Sequence, residues 1–147
     1  MSGTSLDGLD IAYCKFVVDK GWSFEILHFN TFNYDSVFRE KLRQAPFLKE
    51  SDIKKLSYEF GCLMAKELKQ FIAQHNITKL DAVSSHGHTV FHQPENGFTY
   101  QIGNNRNLSD LISNTVVCDF RTQDVSLGGQ GAPLVPVGDY HLFSDYA

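Results

Sequence analysis

The chain has 147 residues, 42% hydrophobic and 20% charged, which is the composition of an ordinary folded domain with room for one real core. Its net charge is −4, from 13 basic and 17 acidic residues, and no Lys/Arg cluster interleaves with aromatics, so nucleic acid is excluded as an expected partner. No apolar run reaches bilayer length and no basic, apolar leader is visible, so no membrane partner is expected either. Cys14, Cys62 and Cys118 are odd in number and far apart, without a CxxC pair. They predict buried free thiols in a reducing cytoplasm, not a disulfide frame or a zinc site.

The first stretch, Met1 to Gly8 (MSGTSLDG), packs two glycines, three hydroxyl side chains and one carboxylate ahead of a β-like run. Gly3 and Gly8 permit sharp turns and close backbone approach, and Thr4 and Ser5 add hydroxyl donors. Exposed amides in such a turn form an anion-binding concavity. Asp7 would repel a phosphate unless a cation lay between them, so the mixture points to phosphate with Mg²⁺. The same residues also make an ordinary polar hairpin turn, the commoner fate of Asp-Gly.

Leu9 to Val18 and Trp22 to Phe32 read as the two strands of a hairpin across Asp19-Lys20-Gly21. Asp35 is placed to cap a helix from Ser36 to about Gln44, which Pro46 ends. Ser51 is placed to cap a longer helix to about Gln74. Its Ile53, Leu56, Phe60, Leu63, Met64, Phe71 and Ile72 recur at steps of mostly three and four and form one apolar stripe. Leu80 to Ser85 is a short strand, and a strand after a long helix implies a crossover and an α/β sheet. His86-Gly87-His88 follows as a loop, and Phe98 to Ile102 is another strand. A short helix starts at Asn107 or Ser109 and runs through Ile112. Thr115 to Cys118 is a buried strand with Asp119 at its C-terminal end. Gly128-Gly129-Gln130-Gly131 is a flexible loop, and Pro133 and Pro136 sit near the first turn of a last helix.

Two later clusters carry chemistry. His86 and His88, at i and i+2, would point the same way on an extended segment. With His92 and a carboxylate such as Asp119 they could bind Zn²⁺ in a metal-dependent hydrolase. HxH spacing is a loose metal signal, and a loop lining a polar cleft by hydrogen bonding is the commoner outcome, so no residue is assigned as a resident metal ligand. The other cluster is Asp119 to Asp124. Ligands of open α/β sheets sit beyond the carboxyl ends of strands, which puts Asp119 and Asp124 where a substrate should be. An exposed Asp, with an ordinary pKa near ~3.9, is ionised at neutral pH and can act as a base. Arg121 offers a planar fork for a carboxylate or phosphate, or a structural partner for Asp119 or Asp124. The glycines let the backbone close over a small ligand.

Four segments, MSGTSLDG at the start, SSHGHTVFHQP (Ser84 to Pro94), YQIGN (Tyr100 to Asn104) and VVCDFRTQDVSLGGQGAPLVP (Val116 to Pro136), resemble anhydro-N-acetylmuramic acid kinase in order and across essentially the whole chain. The resemblance implies an actin-like ATPase (ribonuclease H-like) lobe, a mixed sheet with helices, as the first of two α/β lobes that close around ATP and an amino sugar. It implies a reaction in which water opens the anhydro bridge of 1,6-anhydro-N-acetylmuramic acid while ATP phosphorylates O6. The products are N-acetylmuramic acid 6-phosphate and ADP, and the setting is bacterial cell-wall recycling. Residue by residue, Gly3, Thr4, Ser5, Asp7 and Gly8 match the nucleotide-phosphate loop, and Asp124 matches the general base for the attacking water. His86, Gly87, Asp119, Arg121, Gly129, Gln130 and Gly131 match positions around the sugar cleft, with Arg121 set to grip the lactyl carboxylate. The expected cofactors are ATP and Mg²⁺; a homodimer is compatible with the sequence, which does not fix the assembly. Members of the family carry a strand ahead of MSGTSLDG and a second lobe with most adenosine contacts; neither lies within this sequence, and His88 stands where glutamine is more usual. One lobe is expected to bind ATP poorly and to turn over slowly or not at all, leaving an inactive sugar-binding lobe as a further alternative. The kinase reading requires Thr4 and Asp124 to share one cavity.

Overall fold

The computed structural model describes residues 1–104, 106–132 and 135–144. Strands β1 (Gly8–Val18) and β2 (Trp22–Asn33) form the expected antiparallel hairpin. A bulge leaves Leu27 unpaired between His28↔Tyr13 and Ile26↔Cys14. Helix α1 (Ser36–Gln44) starts where Asp35 accepts a bond from the Phe38 amide at 2.7 Å, so that cap forms as expected.

Helix α2 (Glu50–Gln74) is the spine of the core. Its cap differs from expectation. Lys49, not Ser51, is the capping residue, and its carbonyl accepts from the Asp52 and Ile53 amides. Glu50 and Asp52 then sit in the first turn, where negative charge complements the helix dipole. Ile53, Leu56, Phe60, Met64 and Phe71 are buried along one stripe, with Leu63 and Ile72 half-buried. Phe60 is fully buried and touches Tyr34, Phe38 and His88 ring to ring.

Strand β3 (Val83–Ser85) is shorter than the expected Leu80 to Ser85, because only these residues find partners on β6 (Val116–Cys118). The β3–β6 pair is parallel, as the crossover predicts. Two elements lay outside the sequence reading. His88 opens a strand, β4 (His88–Gln93), antiparallel to β5 (Phe98–Ile102), where a loop was expected. The Asp119 to Asp124 cluster begins a helix, α4 (Phe120–Ser126), too short and polar to show a stripe. Helix α3 (Arg106–Ile112) joins β5 to β6, and α5 (Pro136–Phe143) begins on Pro136; Pro133 lies outside the described residues.

Ser2 is the pin of the molecule. It bridges antiparallel to Leu9 at the start of β1 and parallel to His88 at the start of β4, so the two hairpins share one sheet through it. Farther along, among the described residues, β1 pairs only with β2 and β3 only with β6, leaving their other edges facing a cavity of about 980 Å³ lined by both. The result is a small mixed α/β domain. No described helix is long and apolar enough to cross a membrane. The cysteines are free, as expected, but half-buried rather than buried.

Candidate functional site

The opening turn closes through a bond from the Leu6 amide to the Gly3 carbonyl, 3.2 Å. Its left-handed residue is Leu6, at φ 58°, not a glycine. Gly8 is needed for a different reason than ligand approach: a Cβ there would lie 2.6 Å from the Phe32 carbonyl oxygen across the hairpin. Thr4, Ser5 and Asp7 are exposed. Asp7 accepts from the Ser5 hydroxyl at 2.7 Å and from the Gly8 amide at 3.1 Å. The Ser5 bond is the main cause holding the Asp7 carboxyl below its ordinary pKa; backbone bonds and the Arg39 guanidinium act in the same direction. The turn thus presents an ionised carboxylate beside an exposed threonine. Ser5 serves Asp7 first.

Beneath the turn, the Ser2 hydroxyl meets His88 Nδ1 at 3.1 Å in a buried contact. Burial pushes the His88 pKa down. Tyr34 is buried beside Ser2, and its phenol is pushed up to about 12, mainly by burial.

Strands β3 and β6 run parallel, so the residues that follow them, His86 and Asp119, emerge at the same sheet edge. Gly87 bends the chain there, at φ 71°; a Cβ would lie 2.4 Å from the Ile102 carbonyl oxygen. The bend ends the extended geometry on which a common direction for His86 and His88 depended. His86 turns to α4 instead, where Arg121 Nε donates to His86 Nε2 at 2.8 Å, and His86 Nδ1 meets the Gly87 carbonyl at 3.2 Å. Nε2 is the acceptor, so Nδ1 carries the hydrogen and the ring is neutral. Burial, and secondarily the Arg121 charge, lowers its pKa.

Arg121 also donates from Nη1 to the Gly131 carbonyl, 2.7 Å. Neither structural pair expected for it, with Asp119 or with Asp124, is present among the described residues. Asp119, at φ 61° ahead of α4, accepts from the Thr122 hydroxyl at 2.6 Å. Asp124 is exposed, and its Oδ2 accepts the Gly131 amide at 2.6 Å. Gly129 lies against that carboxylate, where a Cβ would sit 2.3 Å from Oδ2. The glycine loop therefore folds back onto the aspartate and fixes it. Gln130 is exposed on the same loop.

The zinc constellation does not assemble. His86 is held by Arg121, His88 by Ser2, His92 by Thr99 at 3.2 Å and Asp119 by Thr122. Among the described residues no three His, Cys, Asp or Glu side chains group as a metal site.

A family model described as anhydro-N-acetylmuramic acid kinase matches residues 1–147. The anhydro-N-acetylmuramic acid kinase of Bacillus cereus (strain ATCC 10987 / NRS 248) is 34% identical over 154 residues, covering 97% of this chain and 40% of the relative. That of Bacillus anthracis (strain A0248) is 34% identical over 156 residues, covering 99% of this chain and 41% of the relative. The chain belongs to the anhydro-N-acetylmuramic acid kinase family. It spans about two fifths of the length of the curated kinases it matches.

Against this kinase family, the expected site residues fall into two groups. The opening turn is one; His86, Gly87, Arg121, Asp124 and the glycine loop are the other. The segment His86 to His88 joins them, tied to α4 at one end and to Ser2 at the other. Thr4 and Asp124 are both exposed and neither lines the large cavity between β1 and β3, so the shared cavity expected of them is not formed by the described residues of this lobe, and the kinase assignment rests on the family match instead. Two residues without an assigned role belong to this frame. Ser2 carries both the strand bridges and the His88 contact. Asn104 donates to the His86 carbonyl at 2.9 Å and accepts from Ser85 at 3.3 Å. Asn104 stood inside the YQIGN segment, but nothing local marks an asparagine as a brace for a loop 18 residues earlier.

Proposed function

We propose that this chain forms the first, actin-like lobe of an ATP-dependent, cytoplasmic kinase acting on 1,6-anhydro-N-acetylmuramic acid in cell-wall recycling. The observation that carries the reading is the braced Asp124 carboxylate, fixed by the Gly131 amide just beyond the carboxyl ends of β3 and β6. Water is a poor nucleophile, and a positioned carboxylate can take its proton as it attacks. Asp124 removes that proton, the water oxygen bonds to the anomeric carbon, and the bond from that carbon to O6 breaks. O6 then attacks the γ-phosphorus and ADP leaves. Arg121 spends Nε and one Nη1 hydrogen on the protein and keeps Nη2 for the lactyl carboxylate. His86, neutral, orients the guanidinium. Thr4 and the turn amides face the nucleotide phosphates. The donor set suits Mg²⁺, which is held through few carboxylates plus substrate phosphates; Asp7 would hold it, and it would neutralise charge on the transferring phosphoryl group.

The test grafts these 147 residues in place of the matching segment of the Bacillus cereus relative. ADP release from ATP and Mg²⁺ should depend on the anhydro sugar. Asp124→Asn should lower kcat by about 10³-fold while sugar affinity stays within about tenfold, since a base acts in the transition state. No sugar-dependent ADP release by the folded graft would overturn the reading.

A further inference from the structure

The last rung of the hairpin ladder, Gly8↔Asn33, brings the end of β2 alongside the opening turn. Tyr34 follows and faces both ways. Its amide donates to the Asp7 carbonyl at 3.4 Å, and its carbonyl accepts from Arg39 Nη2 at 3.4 Å. Tyr34 is locked in place, buried with its ring against Phe38 and Phe60. One fixed residue therefore separates the backbone of the turn from a guanidinium. Arg39 is poorly satisfied there. Its bond to Tyr34 is longer than the ordinary limit of about 3.2 Å. Its Nε is buried without a partner, and Nη1 has none among the described residues. No acidic side chain among them lies within ion-pair distance of it. A guanidinium carries five donors, and a half-buried one with most of them unpaired is costly until an anion accepts them. Its charge reaches Asp7 without closing on it: that carboxyl is held below its ordinary pKa first by the Ser5 hydroxyl, then by backbone bonds, and last by Arg39.

We propose that Arg39 is a phosphate ligand of the opening turn, its unpaired guanidinium hydrogens binding oxygens of a nucleotide polyphosphate held over Thr4. The inference rests on the reading of this turn as the phosphate side of the site. A polyphosphate brings several negative charges to a turn that already carries the Asp7 carboxylate, so cations must face it from more than one side. Mg²⁺ beside Asp7 would meet some of the phosphate oxygens, and Arg39 takes others. The planar fork matches two oxygens of one phosphate group, which a lysine cannot do. The Tyr34 carbonyl holds the guanidinium through Nη2 and leaves Nη1 for the ligand. The effect is confined to the polyphosphate, because Arg121 and Asp124 belong to the other group of residues, tied to the far end of the His86 to His88 segment.

The experiment places Arg39→Gln in the Bacillus cereus graft, where the glutamine amide can still donate to the Tyr34 carbonyl. KM for ATP should rise at least about tenfold, while KM for the anhydro sugar stays within about twofold and the urea midpoint is unchanged. Arg39→Lys, which keeps the charge and loses the fork, should lie between the two. Calorimetry with inorganic tripolyphosphate and Mg²⁺, without sugar, reads the same contact without turnover, and affinity should again fall at least about tenfold in Arg39→Gln. A graft that releases no sugar-dependent ADP sinks the kinase reading, and the tripolyphosphate titration still decides this one. Equal tripolyphosphate affinity in the parent and in Arg39→Gln, or no binding to either, would overturn the proposal. So would a parallel rise in both KM values with a lowered urea midpoint, because Arg39 would then only hold α1 against the turn.

Discussion

The α2 stripe and the tip of the β1–β2 ribbon are similar in composition and opposite in fate. Phe60, Met64 and Phe71 are at most 6% exposed, whereas Val18, Trp22 and Ile26 are 63%, 50% and 55% exposed. Both segments are rich in large apolar side chains. The helix lies between the ribbon base, β5 and α3, and each face of its stripe meets a neighbour. The ribbon outruns them: past the bulge at Leu27, α5 reaches it through Phe143 against Phe24 at 5.4 Å. Apolar residues create a demand for burial, and the reach of neighbouring elements decides whether it is met.

That contrast can be broken or sharpened by experiment. Phe60→Ala should cost about 4 kcal/mol, because the side chain is enclosed by Tyr34, Phe38 and His88 and the cavity cannot collapse. The urea midpoint checks this; a loss under about 1 kcal/mol would mean the stripe is no better packed than the ribbon. Asp35→Ala should cost about 1 kcal/mol through the lost cap of α1, read the same way. Acid should act next. Burial depresses His86 and His88, so the unfolded chain binds more protons than the folded one. Their contribution is fully present above the unfolded pKa of about 6.5 and is lost as pH falls from there through the folded values. Denaturation midpoints at pH 7.5 and pH 5 should fall in that order, and His88→Gln should flatten the slope. Ile26→Thr, on the exposed ribbon, should change stability by less than about 0.5 kcal/mol. A larger loss would show that the ribbon tip is covered in solution.

Elements with a local signal were legible in the residues alone. Asp35 ahead of an amphipathic run, the alternation of β1 and β2, and the steps of α2 each carry their period within a dozen residues. The family too was legible, because its segments are long and unusual. Partnership across distance was not. Ser51 has the chemistry of a cap, yet the cap is Lys49, two residues earlier, which puts Glu50 and Asp52 in the first turn against the helix dipole. Arg121 stands between two aspartates in sequence, yet bonds to a histidine 35 residues away.

Sequence therefore determined the periods, the caps' chemistry and the presence of Asp124, Arg121 and the glycine loop, since these depend on neighbours along the chain. The tertiary structure alone decided that His86, His88 and His92 part company, that Gly129 and Gly131 fold onto Asp124, and that β1 and β3 face each other across a gap. Each of these is set by which strands pair and where the chain bends at Gly87, and pairing between segments tens of residues apart leaves no periodicity for a sequence to display.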